Sequence, residues 1–280
     1  MTEHEDRPGS GAAARRWTAE LAAWEIPAAI LDQAPESPWG YPPELFRAPD
    51  RPGAAPEADA GAVEPALATR RALDALPAGG SVLDVGCGGG VAAFALAPPA
   101  GLVVGVDAQR SMLDLFAATA AERHIAYRTI EGRWPDVASG ADPADVVVCH
   151  NVFYNVADLV PFAVALDAHA RHRVVVEITR AHPMVRFGPF WRHFWDLERP
   201  DGPTAELALA VLTEAGLAAT LETAPGTARR TDVDREVVVA MTRRRLCLGP
   251  DRDAEIARLL ADEPFAPTER AVLWWEPRGR

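Results

Sequence analysis

Asp84 stands two residues before the cluster Gly86-Cys87-Gly88-Gly89-Gly90, and Asp107 closes the next apolar run, Val103-Val104-Gly105-Val106. An apolar stretch that breaks into glycine reads as a buried strand turning tightly into a helix, because glycine permits positive φ and lets a ligand approach the backbone. Such a turn takes the edge of a nucleotide-like molecule. A dinucleotide fold asks for G-x-G-x-x-G, with a third glycine for close helix packing, and that position here is Val91. Asp84 also occupies a place where a dinucleotide fold buries an apolar side chain. A buried carboxylate is costly unless it meets donors or a cation. An amino-acid ammonium group would serve, with the N–H groups of Gly86 and Gly88 facing the ligand's own carboxylate. Asp107 can accept from both hydroxyls of a ribose.

Taken together, Val82-Leu83-Asp84-Val85-Gly86-Cys87-Gly88-Gly89-Gly90, Gly105-Val106-Asp107 and Ser111-Met112-Leu113 resemble the class I S-adenosylmethionine-dependent methyltransferases, in a type 11-like, small-molecule form. The resemblance covers roughly residues 60 to 223 and the terminal strand. It implies S-adenosyl-L-methionine as cofactor, held by Asp84, Gly86, Cys87, Gly88 and Gly90 at its methionine part and by Asp107 at its ribose. Ala108, Met112, Arg133, Trp134 and His150 complete the implied set. In this family an acid often meets the adenine amino group just after the third strand. This chain has Arg133 there, which leaves contacts from the Trp134 backbone and ring.

On the acceptor side the sequence names no definite catalytic base. His150 and Tyr154 follow the fourth strand and His182 the fifth, and all three are candidates, His150 because an imidazole titrates near neutrality. Trp39, Tyr41, Tyr154, His182, Trp191 and Trp195 are candidates for the substrate pocket, with Phe46 a further aromatic on the proline-rich arm. Cys149 adjoins His150, but neighbours on a strand point to opposite faces. His169 and His172 lie near a helix end without further ligands, so no metal site is read. The run Arg243-Arg244-Arg245 is either an anion contact or solvated surface.

These residues need a scaffold, and the chain alternates strand-like and helix-like stretches in the manner of βαβ units. The expectation is an α/β fold: a seven-stranded, mostly parallel, Rossmann-like methyltransferase sheet with helices on both faces. Strands are expected at 82–86, 102–106, 125–130, 145–150, 173–179, 217–223 and 271–275, the last two pairing. Residues 1–14 read as a disordered tail and 15–58 as a helical and proline-rich arm, with Pro27 interrupting its helix. The domain proper runs 59–280, with substrate-cover insertions at 180–203 and 231–262. The second of these is ambiguous between strand and helix, and two helices are favoured.

A chain of 280 residues, 49% apolar, can bury a substantial core. Its net charge of −12 argues against a nucleic-acid partner and favours a small-molecule substrate. Three scattered cysteines suggest neither disulfides nor zinc. No stretch reaches the roughly 18 apolar residues of a membrane span, and the polar start is no signal peptide, so the expected compartment is the cytoplasm. The alternatives are an RNA or protein methyltransferase, a noncatalytic cofactor-binding protein, and an NAD-dependent oxidoreductase, the last opposed by Asp84 and Val91.

Overall fold

A computed structural model describes residues 11–39, 65–226, 235–262, 264–265 and 268–279. Seven strands form one sheet in the order β3-β2-β1-β4-β5-β7-β6. They are β1 (Ser81–Val85), β2 (Leu102–Asp107), β3 (Tyr127–Glu131), β4 (Ala144–His150), β5 (Ala170–Thr179), β6 (Thr220–Ala224) and β7 (Arg270–Trp275). The first five pair in parallel, and β7 is antiparallel to both β5 and β6. The expected fold is the observed one.

Alternation along each strand divides the sheet residues between two faces. Leu83, Val85, Val147, Cys149, Val174, Val176 and Leu273 pack with α6 (Leu159–His169), α8 (Ala205–Glu214) and Trp17. Val82, Val146, Val148, Val175 and Val272 pack with α3 (Leu67–Leu73), α4 (Val91–Phe94) and α5 (Arg110–Glu122). Fully burying each such side chain stabilises the fold by about 1.5–3 kcal/mol. The central strands therefore read as unbroken apolar runs, as parallel strands covered on both faces should.

The tail ends sooner than the sequence suggests. Helix α1 (Ala12–Ala22) begins inside the stretch read as disordered, because the Ala13 N–H donates to the Glu214 carboxylate of α8 at 3.0 and 3.1 Å. A carboxylate at an uncapped helix start satisfies its orphan donors. Trp17, fully buried, joins the sheet's own core and donates from Nε1 to the Val156 carbonyl at 2.8 Å. Helix α1 thus packs into the sheet's own core through Trp17. The helix stops at Ala22, five residues before Pro27, which instead stands at the N-cap of the short α2 (Ala28–Leu31).

A smaller core lies apart from the sheet. Ile26 and Ile30 from the arm meet α7 (Gly188–Trp195), Leu246 and Cys247 after α9 (Arg235–Arg245), and Leu259 and Leu260 of α10 (Asp253–Asp262). Within the ambiguous region the described residues, 235–262, form two helices, as favoured. The excursion after β5 contains α7, which the sequence reading missed because its eight residues are crowded with aromatics of modest helix propensity. The arginine run is neither solvated surface nor anion site. Arg243 binds Asp253 at 2.8 Å, Arg244 Nε donates to the Ser37 carbonyl at 2.6 Å, and buried Arg245 donates to the Pro38 carbonyl. Together they fasten the arm to α9. Among the described residues no helix is long and apolar enough to cross a membrane.

Candidate cofactor and acceptor site

The turn after β1 takes left-handed backbone at Gly86 (φ +73°), Gly88 (+49°) and Gly90 (+82°). A side chain at Gly86 would meet Val152 Cγ2 at 2.3 Å, so this glycine lets the loop after β4 close on the turn. A side chain at Gly88 would meet nothing within 4 Å, so the space above the turn is open there. Most N–H groups of the turn are already used. Gly86 and Cys87 donate to the Val106 carbonyl at 2.8 and 3.0 Å, Gly90 to the Cys87 carbonyl at 2.8 Å, and Gly88 to Asp107 Oδ2 at 2.9 Å. This corrects the expectation that Gly86 and Gly88 offer free donors to a carboxylate. Cys87 turns into the core, where mid-strand Gly105 makes room: a side chain at Gly105 would lie 2.8 Å from Cys87 Sγ. The sequence motif includes Gly105 without giving it this packing role, although glycine inside a strand is a signal of close approach.

Asp84 is 1% exposed, and its Oδ2 accepts from the Ala93 N–H in α4 at 3.2 Å. Burial pushes its pKa up to about 7; the Ala93 bond opposes this and the Asp107 charge adds to it. Among the described residues Asp84 has no cationic partner. Asp107, half-buried, also accepts from the Gln109 N–H at Oδ1, at 2.9 Å. Beside it Ala108 is exposed and Met112 half-buried at the start of α5.

At the tip of β3, Glu131 pairs in register with Asp107, and the Gly132 N–H donates to the Asp107 carbonyl at 3.0 Å. Arg133 is exposed. Trp134 is not available for stacking on a ligand: its ring is buried, donates to the Phe162 carbonyl at 3.3 Å and lies edge-on to His169 at 4.9 Å. His169 itself sits between the Ala165 and Ala138 carbonyls, at 2.8 and 2.9 Å.

At the tip of β4, His150 pairs in register with Glu177, and its buried Nε2 has no hydrogen-bond partner among the described residues. Burial holds its pKa below the ordinary value, with Glu177 opposing and Arg270 reinforcing. Asn151 follows in left-handed backbone (φ +61°), donating from its N–H to the Glu177 carbonyl at 2.7 Å. Its Oδ1 accepts from Arg270 Nη2 at 3.0 Å, and Arg270 also binds the Glu177 carboxylate. The sequence reading did not find this Asn151–Glu177–Arg270 cluster, because its members meet only when β7 returns beside β5.

Tyr154 and His182 do come together. Their rings meet edge-on at 5.1 Å, with Trp17 stacked on Tyr154 at 5.6 Å and Trp24 on His182 at 4.5 Å. The Tyr154 hydroxyl donates to the Thr179 carbonyl at 2.7 Å, and burial raises its pKa. Burial lowers His182 to about 4, with Arg199 adding to the effect. Neither is a base matched to neutral pH. Trp191 and Trp195 belong to the small core and not to a pocket, Trp195 donating to the Leu246 carbonyl at 2.7 Å. Trp39 is exposed, while Tyr41 and Phe46 lie outside the described residues. A residue missed altogether is Arg199, whose guanidinium lies 5.1 Å from the rings of both Trp24 and Trp191, joining arm to cap.

The donor set suits an amino-acid nucleoside: a buried carboxylate needing a cation, open space over Gly88, and Asp107 at the tip of the next strand. Comparison with known proteins agrees. Residues 82–172 match a family model described as a methyltransferase domain. The cypemycin N-terminal methyltransferase of a Streptomyces species is 33% identical over 106 residues, 38% of this chain and 41% of that protein. The ubiquinone biosynthesis O-methyltransferase of Haemophilus ducreyi is 35% identical over 85 residues, 29% and 36% of the two chains. The chain thus spans about two-fifths of the length of the curated relatives it matches. Among solved structures, a Bacillus halodurans C-125 protein matches with TM-score 0.50 and 16% identity over 76% of this chain and 97% of that one. The [4+2]-cyclase SpnF also matches at 0.50, with 17% identity over 75% and 80%. These two share the fold. By its matched segment, residues 82–172, the chain carries a methyltransferase domain, and its seven-stranded sheet has the fold of the two solved structures.

Proposed function

We propose that this chain transfers a methyl group from S-adenosyl-L-methionine to an O, N or C atom of a small-molecule acceptor. The observation that carries this reading is the pairing of Asp84, buried and lacking a cation, with Asp107 across one glycine turn. When bound, the cofactor supplies an electrophilic sulfonium methyl. Asp84 would balance its ammonium group, Asp107 would accept from its ribose hydroxyls, and the loop after β4, led by His150 and Asn151, would border the transfer side. Alignment and exclusion of water supply much of the rate in such displacements, so a strong base is not required.

The acceptor belongs on the β4–β5 side, beneath the cap made by α7, α9, α10 and the arm. A chain of net charge −12 is poorly suited to gripping RNA, and one relative is an O-methyltransferase of ubiquinone biosynthesis. A peptide amine is the second reading, favoured by the relative named as an N-terminal methyltransferase.

Labelled S-adenosylmethionine offered with small-molecule, peptide, RNA and protein pools separates these readings. Label entering small molecules is the expected result. Label entering only RNA or protein overturns the small-molecule reading, and cofactor binding with no transfer to any pool overturns catalysis. Saturable NAD binding without S-adenosylhomocysteine binding would remove the cofactor reading itself.

A further inference from the structure

The sheet order fixes where the cofactor's base must lie. The glycine turn caps β1, Asp107 stands at the tip of β2, and β3 is the next and outermost strand. Neighbouring strands are about 4.8 Å apart, so a nucleoside whose ribose is held at β2 extends its base over the tip of β3. The side chains available there are few. Trp134 has turned into the core, and Glu131 lies 3.5 Å from Arg110. Gly132 has φ +145°, and a side chain there would meet Val137 Cγ1 at 2.2 Å, so glycine is needed to turn the chain beside Asp107. Arg133 follows directly, exposed, with its guanidinium making no hydrogen bond or ion pair among the described residues.

We propose that Arg133 reads the base, donating to its ring nitrogens, and that no carboxylate reads the exocyclic amino group. This inference rests on the cofactor reading above. A guanidinium carries five donors and no acceptor. Facing adenine, it can engage N7 or N1 but not the amino group, itself a donor. Facing hypoxanthine, it gains an oxygen acceptor at the same carbon, the pattern by which arginine takes O6 and N7 of guanine. The site therefore tolerates the deaminated cofactor, which a carboxylate at this position would reject.

The experiment is calorimetry of the full chain with S-adenosylhomocysteine and S-inosylhomocysteine, repeated on Arg133→Asp and Arg133→Ala. The wild type is expected to bind the inosyl ligand within about threefold of the adenosyl ligand, or more tightly. Arg133→Asp should shift the ratio at least about tenfold toward the adenosyl ligand, the low end of one base-edge contact, and Arg133→Ala should shift it the same way by less. A wild-type preference for the adenosyl ligand above about tenfold overturns the proposal, as does an unchanged ratio in Arg133→Asp. Loss of binding of both ligands by a wild-type chain with intact circular dichroism overturns the cofactor reading, and this inference with it. Because Arg133 is exposed and unpaired, the variants should keep the wild-type melting temperature.

Discussion

Asp107 holds the glycine turn before it holds any ligand: its Oδ2 accepts the Gly88 N–H at 2.9 Å, tying the tip of β2 to the turn after β1. The same carboxylate thus shapes the turn and, in the proposed reading, would also accept from the ribose. Asp107→Ala should weaken S-adenosylhomocysteine binding about 10- to 100-fold, the range for charge-assisted hydrogen bonds. Calorimetry reads the loss, and an unchanged affinity would contradict the placement.

Asp84 should trade stability against binding. Its folded pKa, about 7, lies above the ordinary 3.8, so the folded state binds the proton more tightly than the unfolded one. The group favours folding below about pH 4. That contribution is lost as pH rises to about 7, and the loss is constant above. Asp84→Asn should therefore melt higher than wild type at pH 8 in the absence of cofactor, with the difference vanishing near pH 4, while losing at least about tenfold in cofactor affinity, the scale of one charged contact. Melting curves across pH give the first result and calorimetry the second.

Two glycines of the turn should fail differently. At Gly86 a methyl group collides with Val152 and the backbone is left-handed, so Gly86→Ala should cost about 1–3 kcal/mol or more and lower the melting temperature. At Gly88 the space is open, and Gly88→Val should cost less stability while blocking the ligand's approach. The diagnostic pair is a folded Gly88→Val without affinity and a destabilised Gly86→Ala.

Much of this was legible in the chain itself. The central strands β1, β2 and β4, with much of β5 and β7, are announced by apolar runs whose buried faces leave little freedom, and Asp84, Gly86, Gly88 and Asp107 stand out by their local spacing. The side chains that require three-dimensional closure were not. Trp134 reads as a stacking platform until α6 supplies it a carbonyl, and Arg243, Arg244 and Arg245 read as surface until the arm reaches them. Tyr154 and His182 do meet, but their ring faces are taken by Trp17 and Trp24.

The arm's fastening gives a further expectation. Arg243→Glu with Arg244→Glu should leave cofactor affinity unchanged, because both residues lie on α9 and away from the turn. It should speed amide exchange in residues 28–38 at least about tenfold, since the lost contacts are partly exposed polar ones worth about 1 kcal/mol each. Mass spectrometry of exchange, with α1 as the internal reference, checks it.

The bond from Ala13 to Glu214 joins residues 201 positions apart in a chain of 280. During synthesis α1 emerges well before α8, yet the surface that buries Trp17 is completed only when α8 leaves the ribosome. Until then an amphipathic helix with an uncovered tryptophan waits in solution, and the sheet lacks one side of its core. High contact order slows folding and prolongs exposure to aggregation. Helix α1 therefore acts as a closing piece of this core, made before the surface it docks on.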